Sequence, residues 1–280
     1  MSLLESIILG IIQGLTEFLP VSSSGHIELG KVLLDVHPKD PLLFSIVVHA
    51  ATALSTMVVY RKDILEIFRD LFKFEWNAST RFAAMIVLSM IPVMIVGLAL
   101  EDTIEALFEG QVVLVGAMLL ITGGLLFFSD RYHSQDGPVT FGKAIIIGIA
   151  QAIAILPGIS RSGSTISTGL LLGVDRSKAA RFSFLMVLPP IIGATLLKVK
   201  KYFEPAEESL QEVSLVADTV VNTAEIGTLP LVAGFIAAFL SGLLACQWMI
   251  ALVKRSKLDY FAIYCLVVGV IAIVAGLING

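Results

Sequence analysis

The chain has 280 residues, of which 56% are hydrophobic and 15% charged, with a mean hydropathy of +0.91 and a formal net charge of -4. Soluble domains average about 45–50% apolar and about 25% charged residues, so this composition excludes an ordinary water-soluble globule, and nothing is basic enough for a nucleic-acid binder. The apolar residues fall in blocks, and a block of about 20 crosses a bilayer as a helix, so the class is all-α integral membrane.

The first apolar region, 3–35, starts from a terminus that carries Glu5 and no basic stretch, unlike a cleaved signal peptide. Leu19-Pro20 and then Ser22-Ser23-Ser24-Gly25 interrupt it. Each half is too short to span, and segments of about 10–14 residues read as re-entrant half-helices. A full span follows at about 43–60, where His49 lies one turn from Ser45 and is read as packing rather than catalysis. Loop 61–80 carries Arg61, Lys62, Arg69 and Lys73. Spans at about 81–100 and 112–129 come next, the first kinked at Pro92 and the second using Gly123-Gly124 for close helix approach. Loop 101–111 between them has no Lys or Arg. A second interrupted region, 141–174, breaks at Leu156-Pro157-Gly158 and at Ser160-Arg161-Ser162-Gly163. Spans at about 182–199, kinked at Pro189 and Pro190, then 229–252 and 259–278 bring the total to six. The acidic stretch 204–225 is expected to be a solvated loop. Cys246 and Cys265 lie inside apolar segments and read as small core hydrophobes.

The two interrupted regions match. Gly10, Gln13, Gly25 and Phe44-Ser45 recur as Gly148, Gln151, Gly163 and Phe182-Ser183, each displaced by 138 residues, and Leu19-Pro20 recurs as Leu156-Pro157. A single membrane domain, 1–280, is therefore expected to hold repeat one at about 1–135 and repeat two at about 139–280. Each copy has one hairpin and three spans, and an odd span number inverts the second copy. Loop charge agrees, since Lys and Arg mark the cytoplasmic side. Arg131, Lys143, Arg176, Lys178 and Arg181 flank the second hairpin, and Lys254, Arg255 and Lys257 join the last two spans, which with loop 61–80 places both termini outside. Lys198, Lys200 and Lys201 vote the other way, beside an external loop with Glu204, Glu207, Glu208 and Glu212. The expected architecture is six transmembrane helices plus two re-entrant helix-loop-helix hairpins in an inverted-topology repeat.

Chemistry concentrates in the hairpins. Gln13 and Glu17, four apart, share a face of the first half-helix. Glu17 stands near the negative end of that helix and needs a cation, either a divalent metal or Arg161; a hydrogen bond from Thr16 or a loop amide is the plainer alternative. One of Ser22, Ser23 and Ser24 caps the next half-helix, and the other hydroxyls, with Gly25 and the free amides, form an anion site beside His26. The second hairpin repeats the nest with Ser160, Ser162 and Gly163, but has Arg161 where the first has Ser23 and Ser164 where it has His26. Ala154 and Ile155 stand where a match to Glu17 would be. A guanidinium suits phosphate oxygens, and a salt bridge from Arg161 to Glu17 is compatible with that role. Acid-base groups in one copy and a fixed positive charge in the other suit a reaction on a phosphorylated group better than translocation. A secondary transporter or lipid flippase is the rival, because broken helices in inverted repeats also build transport sites. A receptor for a lipid pyrophosphate with no catalysis is weaker, since His, Glu and Arg are all present.

At these residues the chain resembles the undecaprenyl-pyrophosphate phosphatase family of the bacitracin-resistance type. One motif, (Glu/Gln)-x-x-x-Glu leading into Pro-Val-Ser-Ser-x-Gly-His, runs from Gln13 to His26; the other, Pro-Gly-x-Ser-Arg-Ser-Gly, runs from Pro157 to Gly163. The likeness extends over the whole chain in size, span number and duplicated hairpins. It implies that Glu17, Ser23, His26 and Arg161 are catalytic, with Ser23 the candidate nucleophile. In the mechanism expected from these residues His26 activates Ser23, and direct attack by water with His26 as base fits the sequence equally well. It further implies that Gln13, Ser22, Ser24, Gly25, Ser160, Ser162 and Gly163 bind substrate. Glu17, with Gln13 as a second ligand, would hold a divalent cation, Mg2+ or Ca2+. Many members have Glu where this chain has Gln13, which leaves Glu17 as the sole local carboxylate. The implied substrate is a polyprenyl pyrophosphate, converted to the monophosphate carrier for peptidoglycan at an outward-opening site in the bacterial plasma (inner) membrane. Membrane lipids are the other implied partners, no nucleic acid is, and a homodimer is left open. The Ser-Gly-His phrase also resembles the phosphatidic-acid-phosphatase superfamily, whose Lys and Arg-Pro motif and distal His are missing here.

Overall fold

A computed structural model describes residues 1–34, 41–100, 107, 111–131, 136–203, 227–255 and 257–279. The expected loop at 101–111, apart from Leu107 and Gln111, and the acidic loop at 204–225 lie outside the described residues. Among the described residues the regular elements are helices, with one isolated bridge between Gly137 and Val174. In chain order they are α1 (Leu3–Phe18), α2 (Ser23–Leu34), α3 (Pro41–Val59), α4 (Arg61–Leu71), α5 (Ala78–Ala99), α6 (Val112–Arg131), α7 (Phe141–Ile153), α8 (Arg161–Leu171), α9 (Arg176–Met186), α10 (Leu188–Phe203), α11 (Thr228–Lys254) and α12 (Asp259–Asn279).

Among the described residues five stretches are long and apolar enough to cross a membrane: Ala78–Ala99, Val112–Arg131, Arg176–Leu197, Thr228–Lys254 and Asp259–Ile278. A sixth candidate is α3 continued into α4 across a bend of 76°. Large apolar side chains such as Ile91, Ile95, Ile145, Val267 and Leu277 face outward, as lipid contact requires. The chain is therefore a multi-pass membrane protein.

Three expectations change. The loop expected at 61–80 is helical over Arg61–Leu71, because its apolar residues recur every three to four positions between charges, and Leu65 and Phe68 are exposed as on an interfacial helix. The span expected at 182–199 begins at Arg176 and breaks at Val187. Pro189 and Pro190 have no N–H to give to the carbonyls of Leu185 and Met186, and the Val187 amide turns to Leu185 instead. Of the expected glycine pair, only Gly123 sits at a close approach. A methyl there would lie 2.9 Å from the Ala262 carbonyl oxygen, whereas one at Gly124 would meet nothing within 4 Å.

Local chemistry sets the short helices. Ser2 and Glu5 form a reciprocal capping box at the start of α1. The helix stops at Phe18 because the residue before Pro20 is driven out of helical backbone. Helix α7 starts at the Thr140 cap and ends ahead of Pro157-Gly158. Helix α1 packs chiefly along α11, α7 along α5, and α6 along α12, so each first half-helix rests on a long helix from the opposite half of the chain. Small residues permit this. A methyl on Gly14 would lie 2.5 Å from the Ala238 carbonyl oxygen, and one on Gly148 would lie 2.3 Å from that of Ser89. Cys246 and Cys265 are buried free thiols, as a core role requires.

Gly14→Ala is expected to lower the melting temperature of the purified protein, with an overpacking cost of roughly 1–3 kcal/mol. Gly124→Ala, which meets nothing, should leave it unchanged or raise it. A differential scanning fluorimetry comparison of the two checks this packing.

Candidate active site

Each break in the helices becomes a helix start aimed at the other. In the first, the chain leaves α1 and turns through Ser22, whose φ of 69° lies in the left-handed region that a non-glycine residue enters at a cost. That turn lets the Ser22 side chain accept from the Gly25 amide at 3.3 Å while its carbonyl accepts from the His26 amide at 3.1 Å. Capping therefore falls to Ser22 and frees the hydroxyls of Ser23 and Ser24. In the second break Gly158 supplies the turn with φ 95°, and Ser160 caps α8 through the Gly163 amide at 3.1 Å and the Ser164 amide at 2.8 Å. The amides of Ser23–Ser24 and Arg161–Ser162 are the first of their helices, which the helical ladder cannot satisfy.

The two breaks interlock. A methyl on Gly25 would lie 3.3 Å from Gly158 Cα, and one on Gly163 would lie 3.2 Å from Pro20 Cβ. Ser162 Oγ donates to the Leu19 carbonyl at 3.2 Å, and Ser160 N donates to Thr122 Oγ1 at 3.1 Å. Glycine at 25 and 163 thus lets two backbones touch, which brings side chains from opposite ends of the sequence together.

Those side chains meet at Glu17. Its Oε1 accepts from the Arg161 guanidinium, and its Oε2 accepts from Ser23 Oγ at 2.6 Å and from Gln13 Nε2 at 3.0 Å. The Glu17 side chain is 6% exposed and that of Arg161 24%, so the carboxylate depends on its partners while the guanidinium still reaches open space. That space is a cavity of about 280 Å3. Glu17, Ser23, Ser24, Ser160 and Arg161 are among its polar lining, and Val93, Ile155, Val187 and Ile191 are among its apolar lining. Such a cavity offers contacts both to an anion and to an aliphatic chain.

The remaining expected residues stand behind this lining. Gln13 holds Glu17, Ser22 caps α2, Ser162 ties the two turns, and Gly25 and Gly163 are the contact points. His26 is placed differently from its expected role beside Ser23. Its Nδ1 faces the Ser22 carbonyl at 2.8 Å and must carry the proton, while Nε2 meets the Tyr264 hydroxyl at 2.7 Å with the rings stacked 5.5 Å apart. Ser23 and His26 are three apart on α2, yet the imidazole folds back on its own turn and out to α12. The hydroxyl of Ser23 is given to Glu17 instead.

Four contributors escaped the sequence reading. His49 lines the cavity rather than only packing, with Nδ1 on the Ser45 carbonyl at 2.8 Å, which leaves Nε2 as the ring's acceptor. Gln151 lines it too. Thr122 anchors Ser160, and Tyr264 anchors His26. The register with Gln13 was the one available signal for Gln151; the other three carry no motif.

Among the described residues no three His, Cys, Asp or Glu side chains group as a closed metal cage requires. Two oxygen donors of the kind a hard cation takes are present, the Glu17 carboxylate and the buried Gln13 Oε1, which has no hydrogen-bond partner. The Gln13 amide is oriented by Nε2 donating to a carboxylate, which can only accept, so Oε1 is the atom left over.

Against known proteins, the sequence model for bacitracin resistance protein BacA matches residues 6–271. The chain is 55% identical over 276 residues to the undecaprenyl-diphosphatase of Christiangramia forsetii, covering 98% of both chains. It is 51% identical over 273 residues to that of Bacteroides fragilis strain ATCC 25285, covering 96% of this chain and 97% of the relative. Identity to that of Methanosphaera stadtmanae is 36% over 296 residues, covering 99% of each.

Glu17→Gln and Arg161→Met are each expected to lower the melting temperature, and the double variant to lower it by less than the sum. The coupling should be about 0.5–3 kcal/mol, as for side chains in direct contact.

Proposed function

The chain belongs to the bacitracin resistance protein BacA family, and from that membership we propose that it is an undecaprenyl-diphosphatase. This membrane hydrolase releases the terminal phosphate of undecaprenyl diphosphate and leaves the monophosphate lipid carrier. One observation carries the reading. Glu17, Ser23 and Arg161 meet from two distant helix breaks in a cavity that the apolar side chains of Val93, Ile155, Val187 and Ile191 also line. A prenyl diphosphate likewise joins an anionic head to an aliphatic tail.

The diphosphate lies between the starts of α2 and α8, where first-turn amides and Arg161 take its oxygens. Phosphoryl transfer asks mainly for positioning and neutralisation of spreading charge, which fixed amides and a guanidinium supply without reorganisation. Ser23 Oγ attacks the terminal phosphorus as its proton passes to Glu17 Oε2, its hydrogen-bond partner at 2.6 Å. The bond from that phosphorus to the bridging oxygen breaks, and the prenyl monophosphate leaves. Water then hydrolyses the phosphoserine and restores the hydroxyl. A divalent ion, Mg2+ or Ca2+, would be held by Glu17 with Gln13 Oε1 and would supply further positive charge beside the phosphate. His26 braces the Ser22–Ser23 turn against α12 rather than taking the serine proton.

The finer architecture belongs to the same reading. α1–α2 and α7–α8 are re-entrant hairpins entering from opposite faces, within two inverted repeats of about 1–135 and 139–280, with both termini outside the bacterial inner membrane. The reciprocal packing of α1 on α11 and α7 on α5, and the reciprocal contacts of Gly25 and Gly163, support the duplication. This membrane places the enzyme where the peptidoglycan carrier is recycled and where bacitracin acts.

Phosphate release by the purified, detergent-solubilised protein from a polyprenyl diphosphate tests the activity. A transporter or flippase on the same scaffold would move its cargo without releasing phosphate. Arg161→Ala and Ser23→Ala should each cost about 100-fold or more in kcat, the scale for losing a preorganised charge-stabilising group or nucleophile. His26→Ala should lose most activity while remaining folded. Chelation of divalent ions should suppress turnover, with recovery on adding Mg2+ or Ca2+. Full turnover by Ser23→Ala would remove the phosphoserine route.

A further inference from the structure

Gln151 is 2% exposed, and neither its Nε2 nor its Oε1 has a hydrogen-bond partner. A buried amide with both ends unpaired is costly and rare in folded proteins. Its repeat mate shows why it stands alone. Gln13 gives Nε2 to Glu17 four residues on, whereas four residues beyond Gln151 the chain has Ile155. With no carboxylate at that position, the second copy gives its amide no such internal partner. Gln151 also lines the cavity that Glu17, Ser23 and Arg161 line, where phosphate oxygens are expected.

We propose that Gln151 is a substrate-contacting residue. Its Nε2 donates to an oxygen of the reacting phosphoryl group, and its Oε1 accepts from the water that hydrolyses the phosphoserine. A primary amide is a neutral side chain with its donor and its acceptor on separate atoms, so one residue aligns water and phosphate without adding charge to a site that already carries Arg161. Glutamine at this position thereby complements the first hairpin: Gln13 steadies the carboxylate, and Gln151 meets the ligand. This inference rests on the diphosphatase reading.

The test is Gln151→Leu in the full chain, near in shape and unable to hydrogen-bond. Removing a ligand contact should lower kcat/KM for a polyprenyl diphosphate roughly 10- to 100-fold, the range for a hydrogen bond to a charged group. The ligand-free melting temperature should hold or rise, because a buried unpaired amide is replaced by a hydrocarbon. The rise in melting temperature on adding inorganic pyrophosphate should shrink. Turnover within about twofold of the parent would overturn the proposal, as would a variant that melts lower or does not fold, since the amide would then serve the fold. Should the parent chain release no phosphate, the diphosphatase reading fails by itself. The pyrophosphate shift then decides for Gln151: a smaller shift in the variant upholds the contact, and an equal or absent shift rejects it.

Discussion

A carboxylate and a guanidinium buried in a bundle of apolar helices are costly to hold apart, and the rest of this molecule is arranged so that they need not be. Glu17 sits at the negative end of a short helix, and Arg161 at the beginning of another helix far away in sequence. Neither is stable alone in an apolar bundle. Their meeting requires two helices to stop short at proline and glycine. It also requires two turns to touch at Gly25 and Gly163, and small residues to let α1 and α7 lie close to their supporting helices. The ion pair is thus a consequence of backbone contacts that a single bulky side chain would prevent.

That arrangement also explains how a chemically simple set of groups can divide its labour. Where the first copy has a serine, the second has arginine; where the first has a carboxylate, the second has isoleucine. A symmetric site would have doubled the charge or left it uncompensated. The asymmetric one sets a carboxylate and a hydroxyl against a guanidinium. Apolar side chains lining the same cavity suit an amphiphile, and a protein surrounded by lipid can receive one without first moving it through water.

Much of the outline was legible because its signals are local. Proline, glycine and serine clusters mark the two breaks, and apolar run length marks the spans at 81–100, 112–129, 229–252 and 259–278. Charge reasoning sufficed to name Arg161 as one of two cations that Glu17 could seek, a divalent metal being the other. What escaped depended on rotation about helix axes and on distant partners. His49 read as a packing residue because nothing in a continuous apolar span tells which face meets a cavity. His26 was expected to serve Ser23 because the two are close in sequence, yet its ring is held by Tyr264, 238 positions further along. The helical path of Arg61–Leu71 was hidden by its charges, which argued for a loop until the apolar residues between them were seen as one face.

The central claim is that both helix starts grip one diphosphate. A structure determined with a non-hydrolysable prenyl diphosphonate tests it most directly. Arg161 and the amides of Ser23–Ser24 should both lie within hydrogen-bond distance of the same diphosphonate group, with the prenyl chain along Val93 and Ile191. A diphosphonate bound to only one of the two turns, or bound outside the cavity, would contradict the account.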